Sequence, residues 1–112
     1  MPSETPILFP PFRLDVLNEQ LWRDNELVPV RPKPFAVLTY LATHAGRLVP
    51  RAELVKAVWP DTYVSEGLLC VYIREVRVVL GDDSEVPRFI ETVPRRGYRF
   101  ISTPLSESVT LR

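Results

Sequence analysis

From Phe12 onward the chain breaks into short runs separated by turn-type residues. Phe12, Leu14 and Val16 alternate with Arg13 and Asp15, the two-residue period of a half-buried strand. Gln20-Leu21-Trp22-Arg23 and Glu26-Leu27-Val28-Pro29-Val30 follow, punctuated by the pairs Asn18-Glu19 and Asp24-Asn25, residue types that favour turns. Pro29 suits an edge strand or a strand end, where a missing N–H does no harm. Three short antiparallel strands joined by tight turns are therefore predicted. Residues 1–8 form a Pro/Ser stretch with nothing to bury and read as a flexible tail. The folded unit is expected over 9–102, with residues 103–112 as a second tail or the start of a linker.

The period changes after Arg31-Pro32-Lys33-Pro34. Pro34 fits the first turn of a helix, and Phe35, Leu38, Leu41, Ala42 and Ala45 recur at helical spacing until Gly46 stops it. Leu48-Val49-Pro50 reads as a short extended link. A second helix is predicted over 51–58, with Leu54, Val55 and Val58 on one face and Trp59-Pro60-Asp61 ending it. The third helix, over 65–80, is the longest: Ser65 is a good N-cap, Glu66 complements the helix dipole and Gly81 closes it. Leu69, Ile73, Val76 and Leu80 make its buried stripe. Gly67, Cys70, Val71, Arg74, Arg77 and Val78 are left on roughly the opposite side. After a polar loop over 82–88, two β-rich runs over 89–93 and 98–102 flank Pro94-Arg95-Arg96-Gly97. That pattern predicts a hairpin, with Gly97 able to take a positive φ.

Composition narrows the function classes. A chain of 112 residues, 46% of them hydrophobic, buries one modest core. Fourteen Lys and Arg balance fourteen Asp and Glu, so any electrostatic argument rests on where the charges sit rather than on their sum. The single cysteine, Cys70, cannot form an internal disulfide, and with the single histidine, His44, it makes a poor metal set. No apolar run approaches the roughly 20 residues of a membrane helix, and the start MPSETPILFPPF lacks the features of a signal peptide. A cytoplasmic setting without membrane contact is the expectation. There is no nucleophile elbow, phosphate-cradling glycine loop or HExxH helix, so no enzyme, cofactor, metal or small-molecule substrate is expected. Trp22 and Trp59 read as core aromatics, His44 as a helix-end residue that caps or faces water, and Cys70 as a small semi-exposed filler.

Strands, three helices and a hairpin after the longest helix follow the order of a winged helix, an α+β fold. The stretch Gly46-Arg47-Leu48-Val49-Pro50-Arg51-Ala52-Glu53-Leu54 through Val58-Trp59, then Val71-Tyr72-Ile73-Arg74, then Ile90-Glu91-Thr92-Val93 with Gly97-Tyr98-Arg99-Phe100, resembles the OmpR/PhoB-type winged-helix effector domain. The resemblance covers about residues 12–102. It implies a four-stranded N-terminal antiparallel sheet, three helices and a C-terminal β-hairpin wing, with helix 65–80 in the major groove of double-stranded DNA and wing 89–102 on adjacent backbone or minor groove. It carries DNA-contact positions onto Gly67, Tyr72, Arg74, Glu75 and Arg77, and onto Thr92, Pro94 and Tyr98. Gly67, Glu75 and Pro94 stand where many members carry arginine, so a different site preference is implied, and Arg95 and Arg96 at the hairpin tip are candidates to compensate for Pro94.

Each site residue also has a plainer reading. Arg74 and Arg77 suit guanine or phosphate, or make surface ion pairs. Glu75 accepts from a cytosine amine or, more simply, pairs with an arginine. Tyr98 donates to a phosphate or packs as a half-buried sheet aromatic. The resemblance further implies that loop 59–64 is a candidate contact for RNA polymerase, and that two copies occupy tandem half-sites. CadC/ToxR-like members place this module first in a longer regulator. A two-component response regulator of a phosphorelay places it last, and the opening Met-Pro-Ser-Glu favours the first arrangement. The rival class is a winged helix used for protein contacts. Continuous positive charge from Arg74 to Arg96 favours DNA, and cancellation by Glu66, Glu75 and Glu91 favours a protein partner.

Overall fold

The computed structural model describes residues 6–102, the Glu66 side chain excepted. Four strands, β1 (Ile7–Phe9), β2 (Phe12–Asp15), β3 (Gln20–Arg23) and β4 (Glu26–Val28), form an antiparallel meander in the order β1-β2-β3-β4. The predicted turn pairs hold: Glu19 and Asp24 both take positive φ, 55° and 54°, reversing the chain between consecutive strands. Helix α1 (Pro32–Thr43) follows, then β5 (Leu48–Pro50), α2 (Arg51–Val58), α3 (Glu66–Leu80), β6 (Ile90–Val93) and β7 (Gly97–Phe100).

Helix α3 starts and stops as its sequence dictates. The Ser65 hydroxyl accepts from the Leu68 N–H at 3.3 Å. Gly81 adopts the left-handed conformation at φ 66° that closes the last turn. Leu69, Ile73, Val76 and Leu80 are all buried, against a core shared with Leu38, Leu41 and Leu54. The two sheets meet through four phenylalanines. Phe9 and Phe12 from the meander pack edge-on against Phe89 and Phe100, with Phe9 and Phe100 ring centres 5.1 Å apart. Each such ring buries large apolar area and gains about 0.5–1.5 kcal/mol from edge-to-face geometry.

Four features differ from the sequence expectation. Ile7 and Leu8, assigned to the N-terminal tail, pair with Leu14 and Arg13 and supply the first strand of the meander. The Pro10-Pro11 break after Phe9 masks so short a strand. The remaining tail residues, 1–5 and 103–112, lie outside the described residues. Leu48-Val49-Pro50 is not a link but the edge strand of a second sheet, in the order β5-β7-β6. At the hairpin tip Gly97 takes the positive φ expected of it, 158°, but Arg95 is left-handed as well, at φ 67°. Gly97 also answers a second need: a Cβ there would lie 2.0 Å from the Val49 carbonyl oxygen, so only a glycine lets β7 pass β5. Finally, Trp22 and Trp59 are only partly buried, each lying under a cation, Arg13 and Lys33 respectively.

Candidate nucleic-acid interface

Helix α3 presents Gly67, Val71, Arg74 and Val78 to solvent as one outward stripe. Arg74 has no hydrogen bond or ion pair among the described residues, so its guanidinium is available at the centre of that stripe.

On one flank of the stripe stands the wing. The Arg77 Nη2 donates to the Ile90 carbonyl at 3.0 Å and to the Thr92 Oγ1 at 2.7 Å, tying α3 to β6. Its Nε is buried without a partner. Arg77 is thus a brace between helix and wing as well as a cation in the groove. Tyr98, directly across from Thr92 in the β6–β7 register, is buried, with its hydroxyl 3.5 Å from the Cys70 Sγ. Burial first, and the contact with Cys70 second, push the Tyr98 phenol up to about 12, so it stays a neutral O–H donor across the physiological range. Between the two elements lies an open groove of about 640 Å³ in which Arg74 and Arg77 share the lining with the acidic Asp82 and Asp83, and with Thr92 and Tyr98 from the wing. At the wing tip Arg95 and Arg96 are exposed and carry no ion pair among the described residues.

On the other flank, Glu75 takes a bidentate pair from Arg31 at the N-terminus of α1, with Nη2 to Oε1 at 2.6 Å and Nε to Oε2 at 2.8 Å. The Arg31 guanidinium holds the Glu75 carboxyl below the usual carboxylate range. Tyr72 lies beneath Arg31, 5.5 Å from its Cζ to the ring centre, and 5.4 Å from the Trp59 ring. Tyr72 is half-buried there.

The charge pattern can now be read in space. Glu75 is neutralised by Arg31, and Glu91 by Arg99 across β6–β7 at 3.1 Å. Neither carboxylate is left unpaired beside Arg74 or the wing tip, while Asp82 and Asp83 bring negative charge to the groove that Arg74 and Arg77 line. The Glu66 side chain lies outside the described residues.

Two contributors escape sequence reading. Arg31 reaches Glu75 across 44 positions. Asp82 spends its carboxylate on the backbone N–H groups of Arg88, Phe89 and Ile90, at 2.7, 3.2 and 2.9 Å, setting the entry into β6. Nothing local in the sequence singles out either. His44 sits at the C-cap of α1 as expected, its Nδ1 2.8 Å from the Tyr40 carbonyl.

A β-meander, a three-helix centre and a hairpin braced on the outer side of the last helix define a winged-helix DNA-binding effector domain of the OmpR/PhoB type. The chain belongs to the family described as transcriptional regulatory protein, C terminal, whose model matches residues 24–100. That is a family of regulatory DNA-binding domains, not of enzymes. The chain is 36% identical over 90 residues to the transcriptional regulatory protein KdpE of Mycobacterium tuberculosis, covering 80% of this chain and 40% of that protein. It is 37% identical over 98 residues to the transcriptional regulator HilA of Salmonella typhi, covering 88% of this chain and 17% of that protein. It thus spans less than half the length of either relative. Among solved structures it resembles the Klebsiella pneumoniae RstA DNA-binding domain in complex with the RstA box. That match has a TM-score of 0.77 and 33% identity, over 86% of this chain and 96% of that one.

Proposed function

We propose that this domain binds double-stranded DNA sequence-specifically on behalf of a bacterial transcription regulator, with α3 in the major groove and the wing on adjacent backbone. One observation carries the reading: Arg74, without a partner among the described residues, centres the exposed stripe of α3, and Arg95 and Arg96, likewise without an ion pair among them, stand at the tip of the wing. Arg74 is the base reader, since a guanidinium grips guanine O6 and N7 through two N–H groups of a rigid planar fork. Arg77 adds charge to the groove but is committed to the wing, so its role is to hold wing and helix in one geometry. The Thr92 hydroxyl accepts from Arg77, which leaves its own hydrogen to donate to a phosphate. Tyr72, half-buried on the Arg31 flank, offers its phenol O–H to the backbone on that side, Tyr98 is buried against Cys70 and shapes the groove from the wing side, and Glu75 acts through Arg31.

The net charge of zero makes a single copy a weak non-specific binder, and two copies on tandem half-sites recover affinity. Loop 59–64 displays Tyr63 at 92% exposure, which suits it to contact RNA polymerase beside the bound DNA. No helix among the described residues is long and apolar enough to cross a membrane, and the domain works on DNA from the cytoplasm.

The test is fluorescence anisotropy against short random-core duplexes over a range of salt. An enriched duplex is expected, with log affinity falling against log salt by about 0.9 per phosphate contact. Arg74→Ala abolishes the sequence preference, whereas Arg77→Ala weakens all duplexes alike. Absence of any enriched duplex at low salt would falsify this reading and turn the search to protein partners.

A further inference from the structure

The two flanks of α3 are not equivalent in sequence, but they are matched in space. With about 100° of rotation per residue, the exposed Gly67, Val71, Arg74 and Val78 occupy one sector of the helix. Cys70 and Arg77 lie to one side of that sector, and both touch the wing, through the Tyr98 hydroxyl and the Thr92 Oγ1. Tyr72 and Glu75 lie to the other side, and both are engaged by Arg31. Arg31 therefore stands where a second wing would stand.

A helix seated in the major groove, about 12 Å wide, has a phosphate strand along each wall. Its two flanks face those two strands. The wing serves one of them. We propose that Arg31, held in place by Glu75, contacts the phosphate backbone on the opposite wall. Glu75 occupies the Nε and Nη2 hydrogens of a guanidinium that has five N–H donors. Three of the five N–H donors remain beyond the two that Glu75 takes, the Tyr72 hydroxyl lies close enough to share one of them, and the side chain is 63% exposed. A carboxylate on one edge of an arginine fixes the direction of the other edge, which is how a long side chain becomes a preorganised donor. The surroundings fit an anion. Tyr72 and Trp59 form an aromatic floor, and Lys33, 5.9 Å over Trp59 and bonded to the Val58 carbonyl at 3.0 Å, adds a second cation beside it. The patch of Arg31, Lys33 and Glu75 is net positive.

This inference rests on the DNA-binding reading above, and the two can fail separately. The plainer role for the pair is to join α1 to α3 and cancel the charge of Glu75. The double variant Arg31→Ala/Glu75→Ala decides, because it removes one positive and one negative charge together. Affinity for short random-core duplexes is measured by anisotropy over a salt series, with folding followed by circular dichroism. If Arg31 touches a phosphate, the double variant binds every duplex several-fold more weakly, and its salt slope falls by about 0.9, one contact's worth. If the pair is only a structural joint, the folded double variant keeps the parental affinity and slope, and the inference is overturned while the DNA reading stands. Should the alanine pair fail to fold, Arg31→Gln/Glu75→Gln keeps the packing and a neutral hydrogen bond, and the same two outcomes apply to it. A parent that binds no duplex even at low salt takes both readings down.

Discussion

The two β-sheets of this domain are assembled by opposite rules. In the N-terminal meander every strand pairs with its neighbour in the chain, Phe12 opposite Arg23 and Trp22 opposite Leu27 being typical. In the C-terminal sheet the central strand β7 pairs on one side with β6, a few residues away, and on the other with β5, some fifty residues earlier in the numbering. Local pairing gives the meander a scaffold that tolerates change at its outer edge. Distant pairing gives the wing sheet a fixed place against α3, which is what a DNA-contacting hairpin needs. The contrast also explains where glycine matters: the meander turns with Glu19 and Asp24 at positive φ, while the wing sheet depends on Gly97 for a backbone approach no side chain permits.

The phenylalanine joint between the sheets is the place to break both at once. Phe100→Ala empties a fully buried site that touches Phe9. It is expected to cost about 3–5 kcal/mol in urea denaturation, and a loss below about 1 kcal/mol would show that the sheets are stabilised independently.

Gly97→Ala attacks the distant pairing alone. The added Cβ meets backbone on β5 that has no room to give, so a loss of about 2 kcal/mol or more is expected, with DNA binding lost alongside. The matching change in the meander, Leu27→Ser on the exposed edge strand β4, should stay within about 0.5 kcal/mol. Equal effects would erase the distinction between the two sheets.

Arg95→Gly separates fold from function at the wing tip. Glycine relieves a left-handed backbone at φ 67°, worth about 1 kcal/mol, so thermal stability should rise while DNA affinity falls. A parallel drop in both would mean that Arg95 holds the hairpin together rather than serving a ligand.

The smallest effect is a pH dependence. Glu53 on α2 accepts from Arg47, which leads into β5, and from Tyr40 on α1. The Arg47 hydrogen bonds first, and the Tyr40 hydroxyl second, lower the Glu53 carboxyl to about 2 from its usual 4.5. A depressed carboxylate stabilises the fold above its unfolded value and loses that contribution as pH falls toward its folded one. Glu53→Gln should therefore lower the melting temperature at neutral pH and flatten its decline between about pH 4.5 and 2, variant and parent converging at the acid end. An unchanged acid limb would remove this link between β5 and the helices.

What the sequence determined by itself is the part governed by local rules. The period of Leu69, Ile73, Val76 and Leu80, the Ser65 cap and the Gly81 stop define α3 to within a residue. The turn pairs Asn18-Glu19 and Asp24-Asn25 delimit three strands of the meander. The run Ile90 to Phe100 marks the wing, and the exposed Arg74 follows from the helix it sits on. All of these depend on backbone geometry within a few residues, where residue type and spacing suffice.

The tertiary structure decided everything that turns on a choice of distant partner. A three-residue segment such as Ile7–Phe9 or Leu48–Pro50 is too short to carry a period, and becomes a strand only because β2 or β7 offers it an edge. Arg74 and Arg77 look alike in the sequence, three residues apart on one helix. Folding turns one to solvent and commits the other to Thr92 and the Ile90 carbonyl. Glu75 looks like an interruption of a basic face until Arg31 arrives from the start of α1 to meet it. Which charges remain free to meet a ligand is set by long-range packing, because an ion pair or hydrogen bond forms between whichever groups the fold brings within about 3 Å of each other, however far apart they lie in the chain.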